Sequence, residues 1–280
     1  DLSENFEIKK TIPCLEMIEG VKMYPVKSVT LPPASRTNAF LLGDFDSPKL
    51  IVDPSPSSME EYQTLLDTIP CKKLNAIFLT HHHPDHHQFS NQLARKIKLP
   101  IILSHDTQKR LIFKNGKDYF KNIELRNVVE NDEVTRWHGS AVRVYEIPGH
   151  DAGHIGLAPD NMSWFIVGDL IQGIGTVVIP SPEGNMSAYY KTLEKVIALN
   201  PEVVIPSHGM PMRSTYRLKE TLKHRYKREL QILELYNSGK SQKEILKKLY
   251  KGIDPRLYSS ALENIEAHLF KLRQEEQLVK

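Results

Sequence analysis

A cluster of histidines in the first third of the chain limits the folds that the chain can adopt. The stretch FLTHHHPDHHQFS, residues 78–90, contains five of the twelve histidines within seven positions. The preceding LNAIFLT, residues 74–80, is short and apolar, as expected for a buried strand. A packed core rarely needs imidazoles, so the cluster indicates a functional loop that a rigid strand holds in place.

Within this loop the spacing of the side chains predicts metal ligands. His81 and His83 are alternate residues, which project the same way in an extended segment and can bind one ion together. The next turn brings Asp85 and His86 to a second position. Imidazole with carboxylate suits zinc, and less often iron or manganese.

Further short apolar runs predict a layered arrangement of strands and helices. The runs that are typical of strands are NAFLLG (38–43), KLIVDP (49–54), LPIILS (99–104), AVRVYEIP (141–148), SWFIVGD (163–169) and PEVVIPS (201–207). Helical spacing predicts one helix over residues 57–69, capped by Ser57 or Ser58, and another over 187–200, capped by Ser187. Strands interleaved with helices indicate an α/β layered domain.

Three of these strands end at a further candidate ligand. His150 follows a strand and a Pro-Gly turn, Asp169 ends the run SWFIVGD, and His208 follows PEVVIPS. Together with the histidine loop they make five histidines and two aspartates. Such a set supplies three ligands for each of two metal ions and leaves Asp169 to bridge them. A position stays open for water, as catalytic metal sites require.

The order of these motifs resembles the metallo-β-lactamase superfamily of dinuclear hydrolases. The motifs are HHHPDH (81–86), IPGH (147–150), VGD (167–169) and PSHG (206–209). Residues 32–43, 175–201 and 254–272 are similar to the β-lactamase-like protein 2 branch, which is related to glyoxalase II. The resemblance covers nearly the whole chain. It implies an α/β fold, an αββα four-layer sandwich with the metals at its edge, followed by a small helical, winged-helix-like module.

The resemblance also implies a role for each candidate residue. Two divalent metal ions, zinc being favoured over iron or manganese, would have the protein ligands His81, His83 and His150 at the first site, Asp85, His86 and His208 at the second, and Asp169 as the bridge. A hydroxide between the metals would be the nucleophile, and Asp85 would orient it and pass a proton to the leaving group. Asp53 would fix a ligand histidine from outside the site, and His154 either supports the site or is an ordinary structural histidine.

Two substrate classes are left open by the resemblance. One is single-stranded RNA, cleaved by an endoribonuclease. From Arg213 onward the chain has 16 Lys and Arg against 9 Asp and Glu, a net charge of +7 that can neutralise phosphates. The candidate contacts are Lys223, Arg225, Lys227 and Arg228 on the long helix and Lys243, Lys247 and Lys248 on the next. The other is a small acyl thioester, cleaved by an enzyme resembling hydroxyacylglutathione hydrolase. A third hypothesis is that the basic region docks nucleic acid or protein while the site hydrolyses a small acyl substrate.

The chain is predicted to divide into a catalytic domain, residues 1–212, and a helical module, residues 213–280. In the module Ser241 and Glu244 fit a capping box. The apolar residues expected to line one face of the long first helix are Leu218, Leu222, Tyr226, Leu230 and Leu233. Those expected to line the last helix are Ala261, Ile265, Leu269 and Leu272.

The remaining histidines are expected to be bystanders. His82 should point away from the site and His87 should start the following helix. His105 and His138 should have local structural roles, and His224 and His268, on charged helices, should be solvated. Cys14 and Cys71 match no disulfide framework or zinc spacing, which favours a reducing compartment, the cytoplasm or an organelle matrix. No run of 18 apolar residues occurs, so no membrane span is expected, and a homodimer is left open.

Overall fold

The predicted strands lie in two mixed sheets that face each other. In the computed structural model, which describes residues 10–44, 49–173 and 175–278, the first sheet has seven strands in chain order. They are β1 Leu15–Ile18, β2 Val21–Lys27, β3 Arg36–Leu42, β4 Lys49–Val52, β5 Leu74–Phe78, β6 Ile101–Leu103 and β7 Leu125–Asn127. Strands β1 to β4 pair antiparallel, and β4 to β7 pair parallel.

The second sheet has six strands in the order β13-β12-β11-β10-β9-β8. They are β8 Glu133–Trp137, β9 Ser140–Glu146, β10 Ile155–Pro159, β11 Phe165–Gly168, β12 Val203–Pro206 and β13 Met212–Arg213. Strand β10 pairs antiparallel with both β9 and β11, and β11 pairs parallel with β12. The carboxyl ends of β9, β11 and β12 therefore point the same way, and the segments that follow them can meet at one edge.

Helices cover both outer faces of the paired sheets. They are α1 Met59–Thr68, α2 Pro84–His87, α3 Ser90–Ile97, α4 His105–Asn115, α5 Met186–Leu199, α6 Tyr216–Asn237, α7 Gln242–Leu249 and α8 Tyr258–Gln274, and short 3-10 turns lie at Cys71–Lys73, Lys117–Phe120 and Pro255–Leu257. Among the described helices, none combines the length and the apolar character that a membrane crossing needs.

Three apolar layers hold the sandwich together. Phe40 and Phe78 of the first sheet meet Ile166 of the second between the sheets. Leu65, Leu93 and Leu111 of α1, α3 and α4 pack on the outer face of the first sheet. Tyr189 and Leu193 of α5 pack on the second sheet together with Leu218 of α6 and Ala267 of α8. Each fully buried large side chain contributes roughly 1.5–3 kcal/mol, and the αββα prediction is confirmed.

The predicted helix starts are right at α1 and α7 and wrong at α5. The Ser58 hydroxyl accepts a hydrogen bond from the Glu61 N–H at 3.2 Å, and Ser241 forms the predicted capping box with Glu244. At α5 the cap is Asn185, whose side chain accepts from the Ala188 N–H, so that Ser187 lies inside the first turn. An Asn is as good a cap as a Ser, and the apolar pattern alone does not choose between them.

In the C-terminal module, the predicted buried face is confirmed for α8 and only in part for α6. Ala261, Ile265, Leu269 and Leu272 are all buried. On α6, Leu218 is buried, but Tyr226 and Leu230 are 41% and 66% exposed. Arg225 and Glu229 are buried instead, so that Arg225 is not exposed to contact a phosphate. Residues four apart drift by about 40° per step around a helix of 3.6 residues per turn, and the buried charges hide the true face from a hydrophobic pattern.

Candidate metal centre

The candidate ligands all follow the carboxyl ends of strands, and backbone hydrogen bonds tie these ends together across the two sheets. The Ile155 N–H donates to the Thr80 carbonyl at 2.9 Å, which joins β10 to the loop after β5. The Asn38 N–H donates to the Ser207 carbonyl at 2.8 Å, and its side chain donates to the Pro206 carbonyl at 3.1 Å. The edge where ligands from both sheets meet is thus fixed by the backbone itself.

The first group of side chains is His81, His83 and His150, which could hold one metal ion. The Nδ1 atom of His83 lies 3.0 Å from Nε2 of His81 and 2.9 Å from Nε2 of His150. Burial, and then the neighbouring His83, lower the pKa of His150 to about 4. Burial likewise lowers the pKa of His81 well below its usual value. Both rings are therefore neutral at pH 7, which is the form that binds a metal.

The second group is Asp85, His86 and His208, which could hold another ion. The Oδ2 atom of Asp85 lies 3.3 Å from Nε2 of His208 and 3.8 Å from Nε2 of His86. Burial favours a neutral His208 ring, but the carboxylates of Asp169 and Asp85 outweigh it and raise the pKa to about 10. A divalent cation would take the place of such protons, because metal ligands are deprotonated.

Asp169 lies between the two groups. Its Oδ2 atom is 3.6 Å from Nε2 of both His86 and His150, and its Oδ1 atom is 3.3 Å from Nε2 of His208. Burial alone would raise the pKa of Asp169, but His208 and His86 hold it well below its usual value. The carboxylate is ionised and touches ligands of both groups, as a bridge between two cations must.

The residues present fit a pair of metal ions. The Nε2 atoms of His86 and His208 and the Oδ1 atom of Asp169 are buried and make no hydrogen bond within the described part of the chain. Buried polar atoms without a partner are unfavourable by about 1–3 kcal/mol each. Imidazole nitrogens and carboxylate oxygens are ligands that zinc, iron and manganese accept. The clustering of these atoms suggests a dinuclear metal site.

Hydrogen bonds from outside the groups orient three of the histidines. Nδ1 of His86 lies 2.8 Å from the Asp53 carboxylate, which also accepts from the N–H and hydroxyl of Thr80. The Nδ1–H of His150 donates to the Val178 carbonyl at 2.6 Å, and that of His208 donates to the Arg36 carbonyl at 2.9 Å. In each case Nε2 is left to face the centre. Asp53 thus lies where the sequence predicts it.

His154 and two glycines hold the turns that carry the ligands. The Asp169 N–H donates to Nε2 of His154 at 3.2 Å, so this histidine holds the backbone of the bridging aspartate. Gly168 has φ +53°, and a Cβ there would collide with the His154 ring. Gly149 has φ +137°, and a Cβ there would collide with the backbone of Tyr189 on α5. Glycine is required at both positions.

A second polar cluster beside the first group was not predicted from the sequence. His82 is fully buried with Nδ1 2.8 Å from Asp151, and it is a member of neither group. Glu183 lies 3.3 Å from Nε2 of His83 and 3.3 Å from Nε2 of His82. These carboxylates and histidines form a further possible metal group, but the Lys114 ammonium is 2.7 Å from Glu183 and already supplies a cation there. Asp151 adjoins the PGH motif, whereas nothing in SPEGN marks Glu183.

Two expectations about the other histidines are wrong. His87 ends α2 rather than starting the next helix, and its Nδ1 atom lies 2.7 Å from the Tyr119 hydroxyl. His268 is fully buried, with Nδ1 3.0 Å from Glu229, and is not solvated. Its helix, α8, has charged neighbours in sequence but packs between α5, α6 and α7, and a local sequence pattern does not show this.

A cavity of about 690 Å³ leads to the centre, where His83, Asp85, His150 and Asp169 reach it. Most of the other residues that line it are in three segments: residues 29–33; Gly175, Thr176, Val178 and Pro180; and, in the C-terminal module, Tyr250, Ile253, Leu257, Ser260, Ala261 and Asn264. None of the described residues that line the cavity is Lys or Arg. Lys247 and Lys248 are exposed on α7 and do not line the cavity. The C-terminal module is therefore one wall of the site.

Comparison with known families agrees with this fold and site. The model of the Metallo-beta-lactamase superfamily matches residues 32–208, and the chain belongs to this superfamily of metal-dependent hydrolases. The model of the Beta-lactamase associated winged helix domain matches residues 241–280, which confirms the predicted winged-helix-like module.

Two relatives and one solved structure are similar to this chain over at least 70% of its length. The chain is 29% identical over 258 residues to a beta-lactamase-like protein 2 homolog of Drosophila melanogaster, covering 86% of this chain and 84% of that protein. It is 28% identical over 207 residues to a hydroxyacylglutathione hydrolase of Wigglesworthia glossinidia brevipalpis, covering 70% and 73%. The crystal structure of a beta-lactamase domain protein from Burkholderia ambifaria has the same fold, with a TM-score of 0.79 at 21% identity over 99% of this chain and 92% of that one.

Proposed function

We propose that the protein is a hydrolase that uses two metal ions, zinc at both sites. His81, His83 and His150 bind the first ion, Asp85, His86 and His208 bind the second, and Asp169 bridges them. The observation that carries this proposal is the position of the ionised Asp169 carboxylate, within 3.6 Å of ligand nitrogens from both groups. Zinc is preferred because five of the seven ligands are imidazoles.

In the reaction, two such cations would supply Lewis-acid activation of water and of the attacked oxygen. The residues of the chain do the rest. Asp85 reaches the cavity and accepts the proton that the nucleophilic water loses, then delivers it to the leaving group. Asp53 keeps His86 in the tautomer that leaves Nε2 free, and His154 keeps the Asp169 backbone in place. His83 and Asp85 are half-buried at the cavity, and the other five ligands are buried.

The substrate that we propose is single-stranded RNA. The module carries the net charge of +7, and the exposed Lys247 and Lys248 lie three and two residues before Tyr250, which lines the cavity. The Arg228 guanidinium lies 4.4 Å from the centre of that ring. An RNA strand can therefore place phosphates on the basic rim and a base against Tyr250 in the apolar cavity, a combination typical of single-strand binding.

A small acyl thioester is the second candidate, because one observation favours it. The described cavity walls contain no Lys or Arg, so a neutral acyl group suits the cavity better than a phosphate does. The similarity to a hydroxyacylglutathione hydrolase also favours a small acyl thioester as the substrate. With this substrate, the basic rim would serve only to dock a partner.

The division of the chain at residue 212 and a homodimer also stay predictions.

Parallel assays separate the two substrates. Metal-loaded protein is incubated with a short single-stranded RNA of mixed sequence and with S-lactoylglutathione, and the variant Tyr250→Ala is assayed beside it. RNA cleavage that falls in Tyr250→Ala supports the proposal, because base stacking contributes about 1–3 kcal/mol. Turnover of the thioester without cleavage of the RNA would replace it with the second candidate. Inactivity on both, with two metals bound, would contradict both substrates and leave the metal assignment standing.

A further inference from the structure

One short loop, residues 175–180, lies between the candidate metal centre and the C-terminal helices. On one side, the Val178 carbonyl accepts the hydrogen bond from Nδ1 of His150. On the other side, the Ile179 N–H donates to the side-chain oxygen of Asn264 on α8 at 2.9 Å. Arg225 on α6 donates to the Val177 carbonyl and, at 3.3 Å, to the same Asn264 oxygen. The residues before and after Val178 are thus each held by the C-terminal helices.

Arg225 is buried in a way that packing alone does not explain. It is 2% exposed, and among the described residues no carboxylate lies within ion-pair distance of it. Its partners are the neutral Val177 carbonyl and Asn264 amide, and its guanidinium lies 5.3 Å from the centre of the Tyr189 ring. A buried charge without a counter-charge is unfavourable for the fold. Its fixed fork of donors, however, can hold a carbonyl and an amide in one geometry at once.

The loop contacts the candidate metal centre through the His150 ring. Because a carbonyl only accepts hydrogen bonds, the Val178 carbonyl places the proton of His150 on Nδ1. It also sets the direction of Nε2, which lies 2.9 Å from Nδ1 of His83. A displacement of residues 177–179 would turn this ring or free its proton. Partners of this kind change metal affinity about 10–100-fold when they are lost.

We propose that Arg225 and Asn264 are positioning residues for the first metal, and that the C-terminal helices hold His150 in its binding orientation through the Val178 carbonyl. This inference rests on the proposed role of His150 as a ligand and is independent of the substrate. The module is then a part of the metal centre, and it does more than recruit substrate. Neither residue touches the metal or the reacting atoms.

The test compares metal binding in two variants and a matched control. Arg225→Met removes the donors and keeps most of the volume, and Asn264→Ala, the milder change, removes the shared acceptor. The control is Glu229→Gln, one turn further along α6. Glu229 is buried in the same helix interface but contacts Tyr190, His268 and Lys271, not the loop. Stepwise Zn²⁺ dissociation constants are measured by chelator competition on the full chain, with the absorption spectrum of the Co²⁺-loaded protein and the unfolding midpoint alongside.

Arg225→Met and Asn264→Ala are expected to weaken one of the two Zn²⁺ sites about 10–100-fold and to alter the Co²⁺ spectrum. Arg225→Lys keeps the positive charge and can still donate a hydrogen bond to one of the two acceptors. It should therefore bind Zn²⁺ more tightly than Arg225→Met does. The control should lower the unfolding midpoint and leave both dissociation constants unchanged. If every variant bound Zn²⁺ at both sites with the dissociation constants of the wild type and lost only stability, the inference would be wrong and the proposed ligand assignment would stand. A wild-type protein that binds no metal would overturn the proposed ligand assignment and the inference with it.

Discussion

Polar side chains are buried in two regions of this protein, at the strand ends that form the metal centre and between helices α5, α6 and α8. At the strand ends, the buried groups leave atoms without partners, namely Nε2 of His86 and His208 and Oδ1 of Asp169. Between the helices, both Glu229 oxygens instead have partners at 2.7–3.0 Å, namely Tyr190, His268 and Lys271. Nε2 of His268 and Nε of Arg225 are unpaired there, but no Glu229 oxygen is. A carboxylate network completed in this way holds a structure together, whereas an incomplete one, with unpaired carboxylate and imidazole atoms around one point, leaves a place for a cation.

The largest effect is expected for the bridging residue of the incomplete network. Asp169→Ala removes the carboxylate that touches both groups, so both metals should be lost together and hydrolysis should fall about 10³-fold or more. Elemental analysis after dialysis and a turnover assay measure this. Asp160→Ala, which removes an exposed aspartate paired with Arg143, is the control and should keep both metals. Two tightly bound metals in Asp169→Ala would mean that Asp169 is not a bridge.

The next effect concerns the backbone that carries Asp169. Gly168→Ala places a side chain at φ +53° and against the His154 ring, whereas Gly239→Ala, after the end of α6, places one at φ +82° with open space around it. Strain at positive φ is about 1–3 kcal/mol, and the clash adds to it only at Gly168. Urea unfolding should therefore show a larger loss of stability for Gly168→Ala. If the two variants lost the same free energy of unfolding, the contact with His154 would not constrain this turn.

A smaller, pH-dependent effect is expected in the completed network. Burial lowers the pKa of His268 to about 4, although its hydrogen bond to Glu229 opposes the shift. Between its usual value of 6.5 and 4, the unfolded chain binds a proton here that the folded chain does not bind. The free energy of unfolding therefore decreases as the pH falls through this window, by at most about 1.4 kcal/mol per pH unit.

The variant His268→Gln should show a shallower decrease, measured by urea unfolding at pH 7, 6 and 5. The other histidines of low pKa titrate in both proteins, so the difference between them isolates His268. An identical slope in the two proteins would show that folding does not lower the pKa of His268. Glu229, His268 and Lys271 would then form a charged triad at pH 5.

The smallest effect is expected at the exposed rim, outside both networks. Each phosphate contacted on a single strand contributes a slope of roughly −0.7 in log affinity against log salt. Lys247→Ala with Lys248→Ala should therefore flatten the slope for RNA by about 1 unit. Metal content should not change, because neither lysine lines the cavity. RNA affinity across a salt series measures this, and a slope that does not change would remove these lysines from the RNA site.

The two regions also differ in how much of each could be predicted from the sequence. His81, His83, Asp85 and His86 are marked by local spacing after a strand, so their candidacy needs no knowledge of distant contacts. Glu183 contacts His83 across 100 residues, and no motif surrounds it. The buried face of α6 was wrong in part for a related reason, because Arg225 and Glu229 are polar and a hydrophobic pattern assigns them to solvent.

The sequence by itself therefore determined the fold class, the strand-end position of the seven candidate ligands and the presence of a helical module. These follow from short-range patterns of apolar residues and turns, which the backbone obeys locally. Only the tertiary structure decided that Glu183 reaches His83, that the module forms a wall of the cavity, and that Arg225 and Asn264 hold the loop behind His150. Contacts between residues 28 to 168 positions apart, as between His150 and Val178 or Asn38 and Pro206, depend on how the sheets and helices pack.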